Sequence, residues 1–226
     1  MADWTDRLWA AYERDLFGAP SGDRLFNPYR DEHPDHDAGG AAGTRRQNLR
    51  AALDAVARDA PGGRPDVLVV AEAPGPWGGR FTGVPFTNER QLLDPTFPVD
   101  GRPSSAHFAA TGAPHWEYSG TIFWAAMLPH WGRFWTWNAV PLHPHRAGEP
   151  LTVRTPGVRE VRRWHGLLAE TVDALRPARA VAVGRKAEGA LEAVGAAPVY
   201  VRHPSQGGAT LFRAGMAALW DELGGE

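Results

Sequence analysis

The chain has 226 residues, 43% of them hydrophobic, and a formal net charge of −2. That length and apolar content suit one large domain, residues 1–226, with a sizeable core, and with no run of about 18 apolar residues no transmembrane helix or membrane partner is indicated. There is no cysteine, which excludes disulfides, thiolate metal sites, cysteine nucleophiles and cysteine-held iron–sulfur clusters. Met1-Ala2-Asp3-Trp4 lacks the basic-then-apolar pattern of a secretory leader, so a cytoplasmic location is the default expectation. The slightly negative charge argues mildly against a nucleic-acid binder, although a local basic patch can attract phosphates in a neutral protein.

Trp4, Leu8 and Tyr12 recur at helical spacing and predict an N-terminal helix. Gly18 to Gly43, rich in Gly, Pro, Asp and His, reads as a long loop. Thr44-Arg45-Arg46-Gln47 has the form of a capping box; the apolar face of Leu49, Leu53 and Val56 then carries a helix to about Asp59, which Pro61-Gly62-Gly63 ends. Asp66 to Ala71 is a short β-branched run between turn signals, the signature of a buried parallel strand. Ser119 to Met127 predicts a helix, Phe134 to Val140 a second strand, and Val158 to Arg176 a long amphipathic helix. A third strand at Ala180–Gly184, a helix from Arg185 to Val194, a fourth strand at Pro198–Val201 and a closing helix marked by Phe212, Met216, Leu219, Trp220 and Leu223 follow. Strands alternating with helices predict an α/β fold: three α/β/α layers around a central four-stranded parallel sheet.

Sites in such sheets form beyond the carboxyl ends of the strands. Three of the four ends carry unusual chemistry: Ala71-Glu72-Ala73-Pro74-Gly75-Pro76 after the first, Asn138 with Pro141-Leu142-His143 at the second, and His203-Pro204-Ser205 after the fourth. The third ends in plain Gly184-Arg185-Lys186. Six of the ten tryptophans lie between Trp77 and Trp137, around these segments.

The motif Glu72-Ala73-Pro74-Gly75 resembles the first motif of the family 4 uracil-DNA glycosylases. The longer stretch Pro74-Gly75-Pro76-Trp77-Gly78 with Thr82-Gly83-Val84-Pro85-Phe86 is similar to the single-strand-selective monofunctional uracil glycosylases. Asn138 to Leu142 and His203-Pro204-Ser205 resemble the remaining superfamily motifs, in the right order and on the right strands, over about residues 66 to 223. The resemblance implies removal of uracil, and of further deaminated or oxidised bases, from single- or double-stranded DNA. An abasic site would be left for base-excision repair. It also implies no metal or organic cofactor and a monomeric enzyme.

Such an enzyme flips the base into a pocket. It must offer donors to the base oxygens, an aromatic face and a hold on water. On that reading Phe86 stacks on the base and Asn138 pairs with its edge, since an amide sets a donor beside an acceptor. His203 donates to a uracil carbonyl as charge grows on it. Glu72 holds the attacking water or favours the cationic sugar, with Asn88 and Glu89 next in line. Ala73 and Gly75 line the base pocket. Gly75 stands where the most uracil-strict family has a Tyr that crowds out thymine, so it is expected to leave room for hydroxymethyluracil, xanthine or hypoxanthine. Pro74 and Pro76 approach the DNA backbone. Ser205, Gln206, Gly207 and Gly208 form the loop that enters the duplex, with Gln206 as plug, and Arg202 and Arg213 meet phosphates.

Two departures stand out. The single-strand-selective enzymes have an Asn where this chain has Ala73, and the family 4 enzymes hold an iron–sulfur cluster on cysteines that this chain lacks. A protein that kept the fold and lost its water activator, a uracil-DNA-binding module, is the alternative reading. His33-Pro34-Asp35-His36-Asp37 reads as a polar loop rather than a metal tract. His143 lies near the expected site and is a candidate contact to DNA or the base. Arg159, Arg162 and Arg163 read as a solvated face, and residues 87–133 match no element of the family.

Overall fold

Short strands of β-branched, aromatic and small apolar residues, separated by helical segments, pack as a parallel sheet covered on both faces. The computed structural model describes residues 4–224; Met1, Ala2 and Asp3, read above for a leader, lie outside them. The chain opens with α1 (Trp4–Ala11), which runs into a π turn at Tyr12–Leu16, then β1 (Leu25–Phe26), α2 (Ala41–Asp59) and β2 (Val67–Ala71). The short helices α3 (Gly79–Thr82), α4 (Glu89–Leu92) and α5 (Ala106–Thr111) and the longer α6 (Tyr118–Met127) lead to β3 (Phe134–Asn138) and β4 (His143–Pro144). Next come α7 (Val158–Arg163), α8 (His165–Leu175), β5 (Arg179–Val183), α9 (Arg185–Ala193), β6 (Pro198–Val201) and α10 (Ala209–Gly224).

The main sheet has the order β3-β2-β5-β6, and all its pairs are parallel. The period-two alternation of each strand decides which layer it feeds. Leu68, Val70, Trp135, Trp137, Ala180 and Ala182 face one layer, packed by α1, α2, α8 and α9. Val67, Val69, Phe134, Val181 and Val183 face the other, closed by Phe123 of α6 and by Phe212, Met216 and Trp220 of α10. Tyr12 stacks on Trp137 with ring centroids 4.5 Å apart, tying the N-terminal turn to the sheet. The chain steps from β2 to β3 on one side and crosses back to β5 and β6 on the other. The crevice between these two directions opens beyond the carboxyl ends of β2 and β5. Among the described residues no helix is long and apolar enough to cross a membrane.

Four local expectations change, each for a physical reason. Helix α2 begins at Ala41, before the Thr44 capping box. A carboxylate distant in the helix register supplies the cap: Glu32 accepts the backbone N–H groups of Gly40 (3.2 Å) and Ala42 (3.0 Å). The expected loop from Gly18 to Gly43 contains β1, which pairs antiparallel with β4. It is pinned by buried Asn27, whose amide donates to Leu16 O and Ala19 O, both at 2.7 Å. The long helix from Val158 to Arg176 breaks at Trp164, where φ −100° and ψ 4° close α7. The break sets the Trp164 indole in the core. Strand β3 ends at Asn138 rather than Val140, although two backbone bonds carry the pairing onward, Ala139 N–H to Ala71 O (2.8 Å) and Val140 N–H to Glu72 O (3.0 Å).

The polar loop from His33 to Asp37 buries one of its carboxylates. Among the described residues no group of histidines and carboxylates is arranged to hold a metal ion. Asp37 is buried between two buried guanidiniums, Arg45 of α2 and Arg80 of α3, with Arg80 Nη1 at 2.6 Å. Burial alone would push the Asp37 carboxyl up, but Arg45 and Arg80 outweigh it and hold it below the ordinary carboxylate range. Two cations on one carboxylate lock α2 to the loop that follows β2. Asp37→Ala, which leaves both cations buried and unpaired, is expected to lower unfolding stability by about 3–5 kcal/mol at pH 7. Because the folded carboxyl titrates below the unfolded one, its contribution is present above roughly pH 4 and fades as pH falls further. Denaturant melts of both proteins at pH 7 and pH 3 check this; a loss below about 1 kcal/mol at pH 7 would mean that the cluster contributes little.

Candidate active site

All four parallel strands send their carboxyl ends to one cavity of about 630 Å³, within the size range of small-ligand sites. Its wall combines Glu72 to Pro76 after β2, Asn138 at the end of β3, Val183 to Arg185 after β5, and Tyr200, Arg202, His203, Ser205 and Gln206 around the end of β6. Phe86 completes it from the loop before α4. A second, more open concavity of about 580 Å³, lined by residues such as Trp9, Glu13 and Arg46, contains none of these strand ends.

Backbone bonds set the first loop. Besides the contacts from Ala139 and Val140, Arg80 N–H donates to Gly75 O (3.3 Å). Behind the loop stands His143. The ring is buried, and burial first of all holds its pKa down to about 4. The neutral ring donates from Nδ1 to Pro74 O at 2.8 Å, while Nε2 lies 3.2 Å from Pro150 O. Buried, with Nδ1 on Pro74 O, His143 supports the loop from behind and does not line the cavity.

Glu72 sits half-buried on the cavity wall. Its carboxyl is pushed up by burial and pulled partly back by Lys186. Among the described residues it accepts no hydrogen bond, so it does not pin the loop. Asn138 is 3% exposed, and its amide makes no hydrogen bond among the described residues. It pairs in register with Ala71. Phe86 adopts φ 58°, a left-handed conformation unusual for a bulky residue. One ring face lies flat on Phe123, with centroids 4.0 Å apart and planes 2° apart, and the residue lines the cavity with its remaining exposure. Gly120 permits this: a Cβ there would stand 2.3 Å from Phe86 O.

The tautomer of His203 follows from its partners. Ser205 N–H donates to Nδ1 at 3.2 Å, and Ser205 Oγ lies 2.8 Å from the same atom. Nδ1 is therefore an acceptor, and the ring proton of the neutral form is on Nε2. Burial, with a smaller push from Arg202, holds the ring pKa down to about 4. Beyond it, Gln206 (φ 51°) and Gly207 (φ 76°) are exposed. Gly208 admits no side chain, since a Cβ would stand 2.0 Å from His203 O. Gly207, Gly208 and Arg213 lie outside the cavity wall, on the loop and the first turns of α10. Arg202 and Arg213 make no ion pair among the described residues.

Sequence reasoning misplaced some groups and missed others. Asn88 caps α4 by accepting Gln91 N–H at 3.2 Å. Buried Glu89 accepts the backbone N–H groups of Ser104, Ser105 and His115 and the Ser105 hydroxyl, at 2.8–3.0 Å. Neither lines the cavity. The wall includes Glu117 and Ser119 from the start of α6, Arg154 and Arg185. The room expected over Gly75 is occupied: a Cβ there would stand 2.2 Å from Glu117 Oε2.

The sequence profile of the uracil DNA glycosylase superfamily matches residues 59–223. The chain belongs to this superfamily. Among solved structures, wild-type SMUG2 of Pedobacter heparinus is similar with a TM-score of 0.64, 14% identity and 100% of both chains covered; at that identity the likeness speaks for the fold. No curated protein matches the sequence. Membership carries a DNA-glycosylase type of function, and the α/β sheet with its rim of strand ends is the superfamily's architecture.

For this glycosylase-family chain the state of His203 is measurable directly. Imidazole ¹⁵N spectra are expected to show a neutral ring, protonated on Nε2, at pH 6, titrating near pH 4. A ring that titrates near its unperturbed value of about 6.5, or carries its proton on Nδ1, contradicts the assigned network.

Proposed function

We propose that the protein hydrolyses the N-glycosidic bond of uracil in DNA as a monofunctional glycosylase, leaving an abasic site for base-excision repair. The observation that carries this reading is the meeting of Phe86, Asn138 and the Nε2–H of His203 on the wall of one cavity. An extruded uracil stacks on the free face of Phe86 and pairs its edge with Asn138, whose amide has no partner to give up among the described residues. As the bond between the sugar carbon and the base nitrogen breaks, the electron pair moves into the base. The neutral Nε2–H of His203 donates to the carbonyl oxygen that takes up the charge. A neutral donor fixed by Ser205 needs little reorganisation as charge develops.

Glu72 lies across the rim with an acceptor-only carboxylate. It favours the cationic sugar and holds the water that completes the hydrolysis. Ala73 contributes only its small side chain and backbone. The DNA rests on the rim: Pro74 and Pro76 allow close backbone approach, and Arg202 and Arg213 lie free for phosphates. The turn from Ser205 to Gly208, exposed at Gln206 and Gly207, precedes the 16-residue α10, whose N-terminal N–H groups suit an anion. Gln206, held outward at positive φ, fills the gap left by the extruded base.

Cleavage of a uracil-containing oligonucleotide, read on gels after alkali treatment, tests the reading. Wild type is expected to yield alkali-labile sites. His203→Ala and Asn138→Ala should lower the single-turnover rate by about 10²–10³-fold, and Glu72→Gln by about 10²-fold. Because burial raises the Glu72 carboxyl, the wild-type rate should fall on acidification already above the ordinary carboxylate range, and Glu72→Gln should flatten that limb. Equal cleavage by all three variants would remove the assigned site. Tight binding of uracil-DNA without cleavage by wild type would favour a binding module.

A further inference from the structure

Two carboxylates from the segment between Phe86 and β3 are withdrawn from solvent, and they differ in kind. Glu89 is saturated: four donors from three residues surround it, as expected of a group whose task is to hold a loop. Glu117 is not saturated. Its Oε1 accepts the Ser119 hydroxyl at 2.5 Å, whereas Oε2 is shut from solvent and has no hydrogen-bond partner. Glu117 stands at the N-cap of α6 yet gives no side-chain cap to that helix. Instead the residue lines the cavity with its carboxyl lying on the backbone of two glycines. A Cβ on Gly75 would stand 2.2 Å from Oε2, and one on Gly78 would stand 2.7 Å away. The glycines of the first loop thus form the seat of this carboxyl. Glu72, Arg154, Arg185, Arg202 and His203 line the same cavity, but none makes an ion pair or hydrogen bond with Glu117 among the described residues. Burial pushes its carboxyl up, against smaller opposing effects of the Ser119 hydroxyl and of the Trp77 backbone N–H, which lies nearby without hydrogen-bond geometry.

We propose that Glu117 is the specificity-determining residue of the base pocket: held by Ser119 over Gly75, its carboxyl rejects bases that bring an apolar group to that wall and admits bases that present an N–H or O–H donor there. The assignment rests on the glycosylase reading of the cavity. An apolar substituent would meet the bulk of the carboxyl and give its unpartnered oxygen nothing in return. A donor on the base would satisfy that same oxygen. Rejection by such a group depends on the side chain of residue 117, which occupies the space over Gly75.

The test compares single-turnover cleavage of uracil, 5-hydroxymethyluracil and thymine, each opposite guanine, by wild type, Glu117→Ala and Glu117→Gln. The readout is the ratio of rates within each protein, which a general loss of activity does not mimic. Wild type is expected to cleave hydroxymethyluracil and to reject thymine. Glu117→Ala, which removes both the bulk and the acceptor, should raise the thymine-to-uracil ratio at least tenfold. Glu117→Gln, nearly the same shape, should leave thymine rejected. An unchanged ratio in Glu117→Ala overturns the assignment, as does loss of all measurable cleavage in that variant, which would place the carboxyl in the chemistry or in the loop's fold. If wild type itself cleaves none of the three bases, the glycosylase reading fails before this one.

Discussion

Everything proposed for the site depends on one constraint: the parallel register of β2 with its neighbours brings four strand ends to one rim. Ala71 stands opposite Asn138, and the backbone bonds from Ala139 and Val140 to Ala71 O and Glu72 O extend that register past the last paired residues. A slip of one residue would turn Val67 and Val69 from one layer to the other and carry Asn138 out of the cavity. The buried alternation on both sheet faces opposes such a slip along β2, β3 and β5, so the core that stabilises the fold also aligns its chemistry.

Buried polar groups then place the loops that the sheet alone would leave free. Asp37 between Arg45 and Arg80 anchors the turn after β2 to α2. His143 holds Pro74 O from behind, and Glu89 gathers the chain around Ser104, Ser105 and His115. Each of these groups would be costly if left without partners, and each is well supplied with them. The site residues differ. Among the described residues the Asn138 amide, the Glu72 carboxylate and Glu117 Oε2 carry unused hydrogen-bonding capacity, as do core atoms such as Tyr12 Oη and Trp135 Nε1, but these three residues line one cavity, where a ligand completes the set. The mild negative charge of the chain weighs little against nucleic acid, because local charge governs the approach of phosphates: Arg202 on the rim makes no ion pair among the described residues, while Arg154 and Arg185 beside it are paired to Glu160 and Glu188.

The sheet was legible in the sequence because β-branched runs bounded by turn residues have one good solution. The strand ends were legible because Glu72, Asn138 and His203 follow directly on those runs. Other features depend on contacts between residues far apart in the chain, which no local pattern records. The start of α2 is set by Glu32, not by the residues of its own first turn. The break at Trp164 comes from seating one indole in the core. Asn88 and Glu89, adjacent to Phe86 in sequence, point away from the cavity, whereas Glu117, about thirty positions on, enters it. Gly75 looked like open space because a glycine carries no side chain of its own; only the folded chain reveals which neighbour uses that space.

The central claim is that the rim of strand ends is a pocket for an extruded base. A crystal structure of the protein with DNA containing a 2′-fluorinated deoxyuridine, which resists cleavage, tests it most directly. The account predicts uracil out of the helix, its face on Phe86, its edge on Asn138 and a carbonyl oxygen within hydrogen-bond distance of His203 Nε2. DNA bound on another surface, or a uracil still stacked in the helix above an empty cavity, would contradict it.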